Sequence, residues 1–243
     1  MSRPVELSLI LPCYNEAGLF EDSVSRITRV LDATRFSYEI IFVDDASRDN
    51  TPLLISRFLK KQGNRRVYRA IFHSANLGRG RTVTDGIRAA KGMVVGYIDI
   101  DCEVDPVYIP MMADILRKNE ADVVIGKRFY RTSPQAIVRE VLSRGYQWLA
   151  DYAIGTGRMD TETGYKFFSR KKILPVLTKA THPGWFWDTE IMVYAKHAKL
   201  RIVEVPVLFL RRFDKQSSVH IVRDTLDYMK ELLLFRRRLH KKL

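Results

Sequence analysis

Four short apolar runs recur through the first hundred residues: Val5 to Leu11, Tyr38 to Val43, Val67 to Phe72 and Met93 to Ile98. None alternates with polar residues, so each reads as a strand buried on both faces. Between the first two, Phe20, Val24, Ile27 and Leu31 fall on one helical stripe opened by Asn15-Glu16. Thr51 to Lys61 is a second helix that Asp49 or Asn50 can cap. Asn76-Leu77-Gly78-Arg79-Gly80 turns into a third, which ends near Lys91-Gly92. This β-α-β-α rhythm predicts an α/β fold with a parallel sheet covered by helices. Ligands of such sheets lie at the carboxyl ends of the strands.

The second half is less regular. Tyr108 to Lys118 reads as a helix, and Ala121 to Gly126 as a strand running into Lys127-Arg128. Val138, Val141, Leu142, Leu149 and Ala153 make an apolar stripe, with Arg139 and Arg144 beside it. Asp160 to Phe168 is a polar turn leading into a strand, and Trp185-Phe186-Trp187-Asp188-Thr189-Glu190 leads into a helix through Lys196. Arg201 to Leu210 is extended but interrupted by Pro206. Last comes a helix from Ile221 to Leu243, with Tyr228, Leu232, Phe235, Leu239 and Leu243 on one stripe. Arg236, Arg237, Arg238, Lys241 and Lys242 crowd its end. An apolar face with a basic flank suits an interfacial helix on anionic lipid; the alternative is a terminal helix packed on the domain with a solvated basic tail. The expected division is a domain over 1–215 and this helix over 216–243.

Candidate chemistry gathers at the strand ends. The fourth run meets Asp99, Asp101 and Glu103, and a strand core cannot hold three unpaired carboxylates. Alternate positions of an extended chain share a face, so the three acids are expected to converge on one point. A hard divalent cation, Mg²⁺ or Mn²⁺, wants such an oxygen cluster; a solvated acidic turn is the plain alternative. Two further strand ends carry Tyr14-Asn15-Glu16 and Asp44-Asp45. Together they outline a site for a base, a ribose and a metal-bound diphosphate. No Gly-x-Gly-x-x-Gly follows the first strand, and no phosphate loop ends in Gly-Lys-Ser/Thr.

Composition adds one point. The formal charge of +13 over 243 residues implies an anionic partner: nucleic acid, phosphorylated substrate or an anionic membrane. Nucleic acid is disfavoured, since no recognition-helix or RNA-sheet motif is found and the positive charge concentrates at the C-terminal end. Cys13 and Cys102 have no metal spacing and fit a reducing cytoplasm. No secretory core is seen, and no run approaches the length of a spanning helix.

Taken in order, Leu11-Pro12-Cys13-Tyr14-Asn15-Glu16, Val43 to Thr51, Asn76-Leu77-Gly78 and Asp99-Ile100-Asp101 resemble the motifs of family 2 glycosyltransferases with the GT-A fold. Ile125-Gly126-Lys127-Arg128, Ser143-Arg144-Gly145, Asp160 to Lys166 and Arg212 to Ser217 resemble the dolichol-phosphate mannose synthase-like, polyprenyl-phosphate glycosyltransferase branch. The resemblance implies a Rossmann-like, mixed and mostly parallel sheet. It implies that Pro12, Tyr14 and Glu16 line the nucleoside pocket, that Asp44 or Asp45 reads base or ribose, and that Asp99, Asp101 and Glu103 hold the metal. Relatives often carry Gln where this chain has Glu103. Arg128, Arg139 and Arg212, with Thr163 and Ser217, would meet donor or acceptor phosphates, a guanidinium being matched to phosphate oxygens. The Gly-x-Ser-Lys of synthase relatives reads Lys215-Gln216-Ser217-Ser218 here. The Gln-x-x-Arg-Trp element of processive synthases is absent, which implies transfer of one sugar.

The implied reaction moves a sugar from GDP-mannose or a UDP-sugar with inversion. A polyprenyl phosphate acceptor is already ionised and needs positioning; a sugar hydroxyl needs a general base, for which Asp188, ahead of Glu190, is the candidate. A helix N-terminal acid is the structural alternative for both. The expected location is cytoplasmic, peripheral on the inner membrane face, with room for a separate membrane-protein partner.

Overall fold

The computed structural model describes residues 4–63, 67–130, 145, 148–157, 159–210 and 221–242. Its strands are β1 (Leu7–Cys13), β2 (Tyr38–Asp44), β3 (Tyr68–Phe72), β4 (Val94–Ile98), β5 (Val123–Tyr130), β6 (Tyr165–Ser169) and β7 (Ile202–Phe209). They form one sheet in the order β3-β2-β1-β4-β6-β5-β7. β6 runs antiparallel to both its neighbours, β4 and β5, while the other pairings are parallel. The sheet is therefore mixed and mostly parallel. The chain passes outward from β1 through β2 to β3, then returns to place β4 on the other side of β1. That reversal opens a crevice at the carboxyl ends of β1 and β4.

Helices α1 (Phe20–Asp32), α2 (Thr51–Lys61) and α4 (Ile109–Arg117) cover one face; α3 (Arg79–Ala89), α5 (Arg170–Leu177) and α6 (Trp187–His197) cover the other. β1 shows how its sequence serves both. Leu7, Leu9 and Leu11 point into one core cluster and Ile10 into the second, all nearly inaccessible.

Two prolines sit inside strands rather than ending them. Pro12 pairs with Val43 of β2, but the β1–β4 ladder stops at Ile10↔Tyr97, so its missing N–H falls on the open side. Pro206 lies in β7, an edge strand, opposite Lys127. The same pairing carries β5 through to Tyr130, so Lys127 and Arg128 lie within the strand instead of after it. Cys13 and Cys102 are free and buried. Burial raises both thiols, that of Cys102 to about 11.

The C-terminal helix α7 (Ile221–Lys242) packs its apolar stripe on the domain. Leu232, Phe235 and Leu239 are buried in the domain's second core cluster. Phe235 packs edge-on to Phe186 and Tyr194, at 5.5 and 5.4 Å between centroids, and Tyr228 meets Phe186 at 5.1 Å. A stripe already covered by α6 is not available to lipid; Leu233 and Leu234 on the outer side are exposed, as are Arg236 and Arg237. Leu243 lies outside the described residues. Of the predicted stripe over 137–154, residues 148–154 are helical, and its Leu149 and Ala153 are partly buried against the second core cluster beside the buried Ala150 and Ile154; Val138, Arg139, Val141, Leu142 and Arg144 lie outside the described residues.

Candidate active site

Three loops leave the sheet at this crevice, and each contains a non-glycine residue with a left-handed backbone: Asn15 (φ 56°) after β1, Ala46 (φ 58°) after β2 and Cys102 (φ 53°) after β4. Such residues cost energy and persist where surrounding bonds enforce them. The bonds are visible. Asn15 N–H donates to Ser47 Oγ at 2.9 Å, Arg48 N–H to Asn15 Oδ1 at 2.8 Å and Glu16 N–H to Thr51 Oγ1 at 2.8 Å. Asp49 caps locally, accepting from Thr51 N–H and reaching Ala17 N–H. The first two loops thus form one cross-bonded rim, with Tyr14 exposed on it and Pro12 half-buried beneath.

The paired aspartates after β2 divide their work. Asp45 is turned to the loop ahead of α3: Oδ1 accepts from Leu77 N–H and lies 2.8 Å from His73 Nδ1, and Oδ2 accepts from Gly78 N–H at 2.9 Å. Asp44 accepts from Ser47 N–H with Oδ2, while its buried Oδ1 has no hydrogen-bond partner among the described residues. A buried carboxylate oxygen left unpaired is costly, so Asp44 is the one suited to receive a donor from a ligand.

Beyond β4 the chain is not extended. Cys102 N–H returns to the Asp99 carbonyl at 3.3 Å, and Glu103 N–H donates to Asp101 Oδ1 at 3.2 Å. The shared-face argument for Asp99, Asp101 and Glu103 therefore fails. Among the described residues, no three of His, Cys, Asp or Glu are gathered to hold a metal by themselves. Asp99 instead faces Arg79, whose Nε and Nη2 donate to its Oδ1 at 3.1 and 2.6 Å. Gly164 lies against it: a Cβ there would sit 1.7 Å from Asp99 Oδ2, and the Gly164 carbonyl accepts from Asp99 N–H.

Asp188 lies beneath, 2% exposed, accepting from Tyr97 Oη, from Lys166 Nζ at 2.6 Å and from Arg79 Nη1. Lys166 is fully buried and also donates to the Thr163 carbonyl. Burial lowers the Lys166 pKa, with Asp188 acting the other way. Burial also opposes the charge of Arg79, but Asp188 and Asp99 more than offset it, so its pKa is raised. Asp188 is thus the anchor of two cations rather than a base facing open space. Glu190 is buried too, with Oε2 accepting from Thr181 and His182 N–H.

Other predicted contacts are redirected. Arg128, expected to meet phosphates, directs N–H, Nε and Nη2 to Asp160 at 3.0, 2.8 and 2.8 Å. An arginine within β5, its side chain only 16% exposed, finds a carboxylate of the adjoining 159–164 loop. Thr163 is inaccessible, and its hydroxyl has no hydrogen-bond partner among the described residues. Arg139, Arg212 and Ser217 lie outside the described residues. Of the aromatic triplet, Phe186 and Trp187 are core, whereas Trp185 is 62% exposed with its ring 4.7 Å from the Arg79 guanidinium.

Arg79 and Lys166 are the residues that sequence reasoning missed. Arg79 opens α3 directly after Asn76-Leu77-Gly78, at the same sheet edge as the acids. Lys166 stands between Tyr165 and Phe167 in an apolar strand, where a lysine demands a buried partner.

The glycosyl transferase family 2 model matches residues 8–174, which covers β1 to β6 and the three strand ends. The chain belongs to this family. Glycosyltransferase AglD of Haloferax volcanii is 31% identical over 94% of this chain and 36% of its own length. Dolichyl-phosphate beta-glucosyltransferases of Dictyostelium discoideum and Saccharomyces cerevisiae are 27% and 26% identical over 84% and 95% of this chain, and 66% and 74% of theirs. The chain thus spans about a third of the archaeal relative's length. Glucosyl-3-phosphoglycerate synthase from Mycobacterium tuberculosis, solved with Mn²⁺ and UDP-glucose, is 19% identical with a TM-score of 0.68, over 96% of this chain and 79% of that one. The fold is GT-A.

Proposed function

We propose that this family 2 glycosyltransferase moves one sugar from a nucleotide diphosphate donor to a polyprenyl phosphate, with inversion and with Mg²⁺ or Mn²⁺. The carrying observation is the carboxyl edge of the sheet: a buried Asp44 oxygen with no partner among the described residues ends β2, and the Arg79–Asp99 arginine–carboxylate pair lies at the end of β4, on the other side of β1. Asp44, with Pro12, Tyr14 and Glu16, takes the nucleoside. Arg79 presents a guanidinium to the departing diphosphate from a place fixed by Asp188. The names of the dolichyl-phosphate relatives support the lipid phosphate acceptor, which is ionised at neutral pH and needs no base. The burial of Asp188 agrees with that reading over a hydroxyl acceptor.

The donor set fits a hard cation on its chemistry: carboxylate oxygens are hard donors, the Asp99 carboxylate is 36% exposed, and Asp101 lies in the turn that follows it at the carboxyl end of β4. Asp99 and Asp101 would hold it; Glu103 is left out. When bound, it neutralises charge on the leaving diphosphate. The protein is proposed to work on the inner membrane face. Among the described residues, no helix is long and apolar enough to cross a membrane. The exposed outer side of α7 offers Arg236 and Arg237 to anionic lipid.

Incubation with a panel of nucleotide sugars, membrane polyprenyl phosphate and Mn²⁺ or Mg²⁺ tests the reading. The expected result is labelled product in the organic phase, absent with Asp101→Ala. Donor binding without lipid product would move the acceptor elsewhere. Arg79→Ala is expected to raise the donor KM about tenfold or more, the loss of a charge-assisted contact. Arg79→Lys should rescue little, because an ammonium cannot bridge Asp99 and Asp188 as a fork does; an unchanged donor KM in both would remove Arg79 from the donor site.

A further inference from the structure

The C-terminal helix α7 is linked to both loops that flank the Arg79–Asp99 pair. On one side Tyr228 Oη meets Thr189 Oγ1, which lies 2.9 Å from Thr161 Oγ1. Thr161 belongs to the 159–164 loop that carries Asp160 and Gly164. On the other side stands Glu190, fully buried on α6. Its Oε2 accepts from Thr181 and His182 N–H at 2.7 Å each, and Arg238 Nη2 lies 3.2 Å from Oε1. Glu231, about two helical turns before Arg238, places Oε2 3.7 Å from His182 Nε2.

Those amides fix the 181–185 loop, and the loop is fitted closely against α3. A Cβ on Gly78 would lie 2.6 Å from the Pro183 carbonyl oxygen, and one on Gly80 would lie 2.6 Å from that of His182. Arg81 N–H donates to the Pro183 carbonyl at 3.1 Å. The loop ends in Trp185, which covers Arg79. A path of direct contacts therefore runs from Arg238 through Glu190, the 181–185 loop and Trp185 to Arg79 and Asp99. In sequence, Arg238 belongs to the same basic run as Arg236 and Arg237; in the fold it turns inward to Glu190, the carboxylate that accepts from two amides of this loop.

We propose that Arg238 is a positioning residue for the reaction: by neutralising buried Glu190 it holds the 181–185 loop, and through it the Trp185–Arg79 pair, in place at the Asp99 carboxylate. The C-terminal helix is then part of the active-site frame. The kinetic consequence rests on the glycosyltransferase reading; the structural consequence does not.

Hydrogen exchange of the full chain separates the two. In Arg238→Ala, amides of 178–186 are expected to exchange about tenfold faster than in the unaltered protein, and acrylamide should quench tryptophan emission more strongly. Arg238→Lys should restore most of the protection, and Arg237→Ala should leave this segment unchanged. In the transfer assay, Arg238→Ala is expected to raise the donor KM about tenfold while the acceptor KM stays within about twofold. If Arg238→Ala does not fold, Arg238→Gln, which keeps part of the methylene stem and removes the charge, carries the comparison with an expected change of about threefold. Exchange of 178–186 within about twofold of the unaltered protein in a folded variant, or an equal change in Arg237→Ala, would overturn the proposal. Absence of transfer by the unaltered protein would instead sink the functional reading and leave the exchange result to decide this one.

Discussion

Gly164→Ala is expected to abolish most sugar transfer while leaving the domain folded. The added methyl carbon would lie 1.7 Å from Asp99 Oδ2 and 2.4 Å from its Cγ. No side-chain rotation of alanine relieves that overlap, so the Asp99 carboxylate or the 159–164 loop must move. Displacement of a reacting or binding group by about 1 Å costs on the order of 100-fold in rate. Overpacking costs about 1–3 kcal/mol of stability, which a domain of this size tolerates. Transfer kinetics and urea unfolding on one preparation check both halves. Asp99→Ala alone and the Gly164→Ala/Asp99→Ala double variant should be equally inactive, because both routes remove the same carboxylate from its place. A Gly164→Ala enzyme within about threefold of the original activity would mean that the position of Asp99 does not matter.

Asp188→Asn is expected to cost stability on a larger scale. The carboxylate is shared by Arg79, Lys166 and Tyr97, and the amide leaves two buried cations without their common anion. Removing one partner of a buried ion pair costs about 3–5 kcal/mol, which corresponds to a Tm lower by roughly 10 °C in a chain of this length. The loss should depend on pH. Lys166 is already held below its ordinary pKa by burial, with Asp188 pulling the other way. Without Asp188 its folded-state pKa falls further, while in the unfolded chain it stays near 10.4. Between those values the unfolded chain binds a proton that the folded one does not, so the variant's stability rises with pH. Arg79 stays charged throughout. Asp188 holds the Lys166 pKa of the unaltered protein above that of the variant, so the unaltered protein gains the same slope only at higher pH, and the stability gap should narrow as pH is raised through the interval between the two folded-state pKa values. A gap that is constant across this range would show that Lys166 keeps its proton and that the cost lies elsewhere.

Much of the fold was legible. Unalternated apolar runs marked β1 to β4, and the stripe of Phe20, Val24, Ile27 and Leu31 marked α1. The gathering of Tyr14, Asp44 and Asp99 at one sheet edge followed from a parallel topology alone. Where local reading fell short, a long-range partner had intervened. Pro206 appeared to interrupt a strand because edge position cannot be seen from one strand. Asp99, Asp101 and Glu103 appeared to share a face because the turn at Cys102 is stabilised by its surroundings.

The amino-acid sequence by itself determined the alternation of strands and helices, the acidic carboxyl edge and membership of glycosyl transferase family 2. Apolar periodicity reports that a face is buried, and motif order reports which edge carries polar groups; both are local properties. Only the tertiary structure decided what each charge and each apolar face would meet. Arg79 finds Asp188 across 109 residues of chain, Arg128 finds Asp160 across 32, and the stripe of α7 meets Phe186 and Tyr194 in place of a bilayer. A stripe of leucine and phenylalanine gains similar free energy from lipid or from protein, and an arginine gains from any carboxylate it can reach. The choice between such partners is made by which surfaces the folded sheet brings within contact.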